Sequence, residues 1–171
     1  MLSRKKWRLD QVTIVPATEV HVQAISRLTG SKDMLKRTPE EIWKYLPDFI
    51  VALDGQKKVI GCFGSKNYGS DIELISLRVT KRYRGLGLGK MLIKRKLKDH
   101  KNSGCRIFAL TKGELADSHF LPLGFVKVGI QLFDGKVMGD CRKCKKNFID
   151  QDGCHRCDEI AVLYLGNQVK S

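Results

Sequence analysis

The chain lacks any apolar run long enough to cross a bilayer. Its basic start, Met1-Leu2-Ser3-Arg4-Lys5-Lys6-Trp7-Arg8, is not followed by an apolar signal core. These two absences set the expectation of a cytoplasmic protein with no membrane partner. Internal repeats and low-complexity linkers are also missing, so residues 1–171 are expected to form a single domain. Negative charge is scarce: 18 Asp and Glu stand against 32 Lys and Arg, a formal net charge of +14. Such an excess attracts polyanions, whether nucleic acid, acidic surfaces or phosphorylated cofactors. No nucleic-acid-binding motif accompanies it, so a nucleic-acid partner is open but not favoured. What is present is a 42% hydrophobic content, enough for one sizeable core.

Periodicity orders that core. Val12–Val15 reads as a strand, and Val20, Ala24, Ile25 and Leu28 recur at helical spacing before Gly30. Thr38-Pro39-Glu40-Glu41 carries a capping box with proline at the first helical position, opening a short helix through Ile42, Trp43 and Leu46. Phe49–Leu53 and Val59–Phe63 flank Asp54-Gly55 as a hairpin, and Ile72–Val79 is a further strand. A glycine-rich turn leads into a helix over about 89–101, with Leu92, Ile93 and Leu97 facing inward. Strands at Cys105–Leu110, Val126–Ile130 and Glu159–Leu165 follow, with a short helical piece at Ala116–Leu121. The order is that of an α+β domain, a mostly antiparallel sheet with a strand–loop–helix–strand unit in its middle.

The turn Arg84-Gly85-Leu86-Gly87-Leu88-Gly89-Lys90 has a clear use between a strand and a helix. Glycine lets backbone N–H groups converge on an anion, and the helix adds its positive end. Arg84 and Lys90 bring positive charge to the rim. The Gly-x-x-x-x-Gly-Lys-Ser/Thr pattern of nucleotide hydrolases is absent. A dinucleotide fingerprint also fails, because its glycines are spaced differently and follow an early strand.

The segment Val79-Thr80-Lys81-Arg82-Tyr83-Arg84-Gly85-Leu86-Gly87-Leu88-Gly89-Lys90-Met91-Leu92 resembles the acetyl-CoA signature of the GNAT superfamily. Its core, Arg/Gln-x-x-Gly-x-Gly/Ala, is met by Arg84, Gly87 and Gly89, and Leu123-Gly124-Phe125 is similar to that family's second landmark. The resemblance covers roughly 12–130 and implies an acetyl-CoA-dependent N-acetyltransferase. It implies that the amides from Arg84 to Lys90 hold the pyrophosphate, and that the backbone at Leu77, Arg78 and Val79 pairs with the pantetheine arm like an added strand. Lys94 and Lys98 are candidates for the 3′-phosphate, or simply a solvated helix face.

Acetyl transfer needs a neutral amine, a polarised thioester carbonyl and a protonated leaving thiol. Glu73 is the candidate base, a carboxylate near the start of the strand that leads to the loop, where GNAT members often carry a glutamate. Alternation puts it on the side of Ile75, Leu77 and Val79; the plain alternative is a strand-end charge meeting solvent. A backbone N–H near Leu77 is expected to polarise the carbonyl. Many family members have a tyrosine acid where this chain has Phe120, which cannot donate a proton. Ser118, His119, Tyr68 and water are the substitutes, or the thiolate leaves unassisted.

A narrower resemblance, to short stand-alone N-acetylglutamate synthases of arginine biosynthesis, rests on Met34-Leu35-Lys36-Arg37-Thr38, Asp48-Phe49-Ile50-Val51-Ala52, and Glu73 with Ser76-Leu77. It implies a small-molecule amine acceptor such as L-glutamate. Arg37 and Lys36 are the expected carboxylate-binding cations, with Arg78 a weaker candidate. Protein N-terminal or lysine acetylation, and a non-catalytic acetyl-CoA- or RNA-binding module, are the alternatives. The sequence leaves the oligomeric state open.

Six cysteines remain. Cys62 and Cys105 stand alone in apolar stretches and are expected to be buried, inert thiols. Cys141-x-x-Cys144 and Cys154-x-x-Cys157 form two pairs that suit a tetrahedral thiolate site. A structural Zn²⁺ there makes a knuckle inserted over about 136–158, between the last two strands of the sheet.

Overall fold

The computed structural model describes residues 9–30, 37–133, 135, 137, 148–149, 155–156 and 159–166. They fall into two compact units, one drawn from Met1–Lys66 and Leu74–Asp99, the other from Asn67–Glu73 and His100–Ser171.

The first unit holds β1 (Thr13–Pro16), α1 (Val22–Thr29), α2 (Pro39–Lys44), β2 (Ile50–Leu53), β3 (Val59–Asn67), the later part of β4 (Asp71–Val79), and α3 (Leu88–Asp99). The strands order β1-β2-β3-β4, and β2 pairs antiparallel with both β1 and β3 through Val15↔Val51 and Val51↔Cys62. The expected capping box opens α2: the Glu41 amide donates to Thr38 Oγ1 at 3.3 Å, and the Thr38 amide donates to Glu41 Oε2 at 2.9 Å. Two backbone donors that the helix cannot satisfy internally are thereby paired. Val22 and Ile25 of α1, Ile42 of α2, Phe49, and Val51, Cys62 and Ile75 of the strands close one core.

The buried positions of α3 are Leu88, Gly89, Leu92, Ile93 and Lys96. Leu97, expected inward, is only half-buried, because the helical period from Leu92 falls on residue 96. Lys96 thus packs its stem inside, and burial pulls its ammonium below the usual lysine range although Asp99 and Asp48 attract it.

The second unit holds the start of β4, β5 (Arg106–Lys112), a helical stretch from Gly113 to Leu123, β6 (Phe125–Val128), β7 (Phe148–Ile149), β8 (His155–Arg156) and β9 (Glu159–Tyr164). Its main strands order β5-β9-β6, antiparallel, with Ala161 of β9 facing Leu110 on one side and Val128 on the other. Phe108 stacks on Phe133 with centroids 3.9 Å apart, in a core with Val137, Ala161 and Leu163. The fully buried Asp71 takes a two-pronged bond from Arg106, Nε to Oδ1 at 2.7 Å and Nη2 to Oδ2 at 2.9 Å. The guanidinium also donates to the Leu132 carbonyl and lies over the Phe133 ring. Cys62 is buried as expected, but Cys105 is not: it is half-exposed, and its thiol donates to the Gly69 carbonyl at 3.2 Å.

β7 and β8 pair as a small antiparallel hairpin, Phe148↔Arg156 and Ile149↔His155, between β6 and β9 in chain order. The four cysteines expected to hold zinc, Cys141, Cys144, Cys154 and Cys157, lie outside the described residues, as does Lys36. Among the described residues no group of three or more His, Cys, Asp or Glu is placed to hold a metal ion, and no helix is long and apolar enough to cross a membrane.

Candidate functional site

β4 runs into the glycine loop through a single turn, Lys81–Tyr83, whose Tyr83 is buried. Gly85 and Gly87 have φ of 77° and 91°, a region that side chains with a Cβ adopt only under strain. Open space surrounds both: a Cβ built at either meets nothing within 4 Å. Both residues therefore border open space. Helix α3 starts earlier than the sequence suggested, at Leu88, so Gly89 lies in its first turn. The Met91 amide bonds the Gly87 carbonyl at 3.1 Å, which leaves the amides of Leu88, Gly89 and Lys90 heading the helix. Three convergent N–H groups and the positive end of a helix suit a pyrophosphate. Arg84 is less free to reach it than a rim cation, since its Nε donates to the Val79 carbonyl at 3.0 Å and ties the loop back to the strand end. Lys94 and Lys98 are exposed on α3.

Within β4, Ser76 has φ of 60°, a left-handed serine in the middle of a strand. The alternation that placed Glu73 with Leu77 and Val79 does not carry through such a residue, and the burial of β4 accordingly shows no two-residue period. Burial of Ile72, Leu74 and Ile75 and half-burial of Ser76, Leu77, Arg78 and Val79 replace it. Ser76 has two partners. Its carbonyl accepts from the Cys62 thiol at 3.6 Å, and its hydroxyl accepts from Arg37 Nε at 3.1 Å. Burial pushes the Cys62 thiol up to about 12, with Arg78 pulling the other way. Arg37 is held at its other end too: Ser26 Oγ on α1 donates to the Arg37 carbonyl at 3.0 Å. Nothing in the strand pattern marks Ser76, because its conformation is invisible in a run of β-forming neighbours.

In the second unit, Tyr68 donates its hydroxyl to Glu73 Oε2 at 2.9 Å. The Tyr68 amide closes the turn onto the Asp71 carbonyl at 2.8 Å, and its ring lies tilted 6.4 Å from Phe108. The bond fixes the direction of the carboxylate. The sequence offers Tyr68 only as one of several acids; its bond to Glu73 crosses a tight turn five residues long. Phe120 is buried edge-on against Phe125 at 5.1 Å and serves the core. Ser118 donates to the Glu114 carbonyl at 2.7 Å and lies 2.7 Å from His119 Nδ1, so its proton is already engaged. Gly124, in the second landmark, is a left-handed helix cap with φ of 93°.

The model of the acetyltransferase (GNAT) family matches residues 23–125. An uncharacterized N-acetyltransferase of Chlorobaculum tepidum is 33% identical over 146 residues, covering 82% of this chain and 87% of the relative. N-acetylglutamate synthase from Neisseria gonorrhoeae, solved with coenzyme A and N-acetyl-glutamate, superposes with a TM-score of 0.73 at 19% identity over 90% of this chain. The chain spans 34% of that synthase. A Mycobacterium tuberculosis protein solved in complex with CoA and NLQ gives a TM-score of 0.70 at 18% identity, covering 89% of this chain and 98% of that one. These last two speak for the fold alone. The family model and the one-third-identical relative decide membership: the chain belongs to the GNAT acetyltransferase family and is an N-acetyltransferase that uses acetyl-CoA as its cosubstrate.

Proposed function

We propose that the acceptor is a small amine carrying a carboxylate, in the first instance the α-amine of L-glutamate, and that Glu73 is the base. The observation that carries the acceptor class is Arg37, a guanidinium fixed on β4 at Ser76 within the strand that leads to the glycine loop. Guanidinium forks match carboxylates, whereas a polyamine acceptor needs anions in its pocket. Lys36, its neighbour in sequence, is proposed as a second cation. The N-acetyl-glutamate held by the fold neighbour from Neisseria agrees with this choice of acceptor.

The reaction then runs by direct attack. The Glu73 carboxylate takes a proton from the ammonium, and the neutral amine attacks the thioester carbonyl. The backbone N–H at Leu77 stabilises the developing oxyanion, the attacking nitrogen gives up its second proton, the C–S bond breaks, and the thiolate leaves and takes up a proton in exchange. The amides of Leu88, Gly89 and Lys90 hold the pyrophosphate, and the backbone of Leu77, Arg78 and Val79 aligns the pantetheine arm. Tyr68 steadies the base. Zinc is proposed as structural. Four thiolates in two Cys-x-x-Cys pairs form a complete tetrahedral donor set, and Cys154 and Cys157 flank β8 in the sequence. A reducing cytoplasmic setting favours metal over disulfides for such pairs.

The test is a CoA-release screen over twenty amino acids and the common polyamines. Turnover with L-glutamate above the other acceptors supports the proposal; turnover confined to polyamines or peptides rejects it.

A further inference from the structure

From the contact between Ser76 and Arg37 we infer that Ser76 is a specificity-determining positioning residue, which orients Arg37 so that the acceptor's carboxylate is bound end-on by its two Nη groups. This rests on the carboxylate-bearing acceptor proposed above and adds a residue and a geometry to it.

A guanidinium offers two edges to a carboxylate: a side edge made of Nε and one Nη, and an end made of both Nη groups. Ser76 Oγ already accepts the Nε–H at 3.1 Å, which spends the side edge. The remaining edge is the fork of Nη1 and Nη2. Among the described residues these two nitrogens have no partner. A half-buried arginine with one nitrogen fixed and a fork unspent is arranged for a planar anion.

The chain holds this arrangement from both sides. Ser26 Oγ bonds the Arg37 carbonyl at 3.0 Å and fixes the backbone from which the side chain springs. Ser76 fixes the far end. Ser76 occupies a left-handed conformation, where serine is uncommon and glycine is easier, so its backbone gives no reason for a serine there. Its hydroxyl does: it supplies the lone pair that takes the Arg37 Nε–H. An arginine ordered before the ligand arrives loses less rotamer entropy on binding, and that gain is felt in acceptor affinity.

A purely architectural tie between the Arg37 segment and β4 predicts different kinetics, and a double-mutant cycle separates the two. The full-length protein is compared with Ser76→Ala, Arg37→Ala and the double variant, measuring kcat and KM for L-glutamate and for acetyl-CoA. Ser76→Gly serves as a second variant, because it removes the hydroxyl while relieving the left-handed backbone. The expected result is an acceptor KM raised about tenfold by Ser76→Ala and by Ser76→Gly, with kcat and the acetyl-CoA KM within about twofold. Arg37→Ala raises acceptor KM further, and adding Ser76→Ala to it changes nothing more. An unchanged acceptor KM in both Ser76 variants overturns the inference, as does a Ser76 effect that persists at full size without Arg37. Either of those leaves the amino-acid acceptor standing. A wild-type protein that turns over only amines lacking a carboxylate rejects both readings together.

Discussion

As the proposed base, Glu73 has a neighbour close in sequence that bears on its role. The Tyr68 hydroxyl at 2.9 Å holds Oε2 of its carboxylate. If Glu73 is the base proposed here, replacing it by Gln lowers kcat about 100-fold with the acetyl-CoA KM unchanged. Tyr68→Phe keeps the ring against Phe108 but removes the bond, and a smaller loss in kcat of about tenfold is expected from steady-state kinetics. Cys62 gives a prediction of the opposite kind. Its folded thiol is raised from the ordinary 9.0 to about 12. The folded chain keeps this proton while the unfolded chain loses it, so the thiol's contribution is whole below pH 9 and falls as pH rises toward 12. By pH 10 the difference is about 1.4 kcal/mol. Urea unfolding at pH 8 and pH 10 should show the wild type losing that much more stability than Cys62→Ala; equal losses contradict the burial argument.

Elements were legible in the sequence where a local rule fixes them. Thr38, Pro39 and Glu41 write a capping box into the chain, and the box is there. Gly30 marks a helix end, and it ends α1. The illegible parts are those set by something other than period. Ser76 breaks the alternation of β4 through one backbone angle, Lys96 takes an inward slot of α3 because the helix phase puts it there, and Tyr68 meets Glu73 through a turn. Arg37 was readable as a cation, but its clamps on Ser26 and Ser76 were not. In the glycine loop, Gly87→Ala forces a Cβ onto a residue with φ of 91° in open space. The expected cost is about 1 kcal/mol of stability, together with a raised acetyl-CoA KM as the loop relaxes away from its left-handed turn. In the second unit, Arg106→Met leaves the buried Asp71 carboxylate without its two-pronged partner. Since Arg106 is itself partly exposed, a loss of roughly 2 kcal/mol is expected in chemical denaturation.

At the scale of the whole molecule, the net charge of +14 suits a protein that gathers anionic molecules: a phosphorylated cosubstrate and, on our proposal, a dicarboxylate acceptor. Family membership and the cosubstrate follow from motifs at fixed separation, so they were readable early. Acceptor choice depends on how separate segments are brought together, which a linear pattern does not show. The most direct measurement is to incubate the purified protein with acetyl-CoA and L-glutamate, and to follow free thiol and products together by mass spectrometry. The expected result is N-acetylated glutamate formed in equal amount to the CoA released, and lost in Glu73→Gln. Thiol release without acetylated glutamate, or acetylation only of amines that carry no carboxylate, contradicts it.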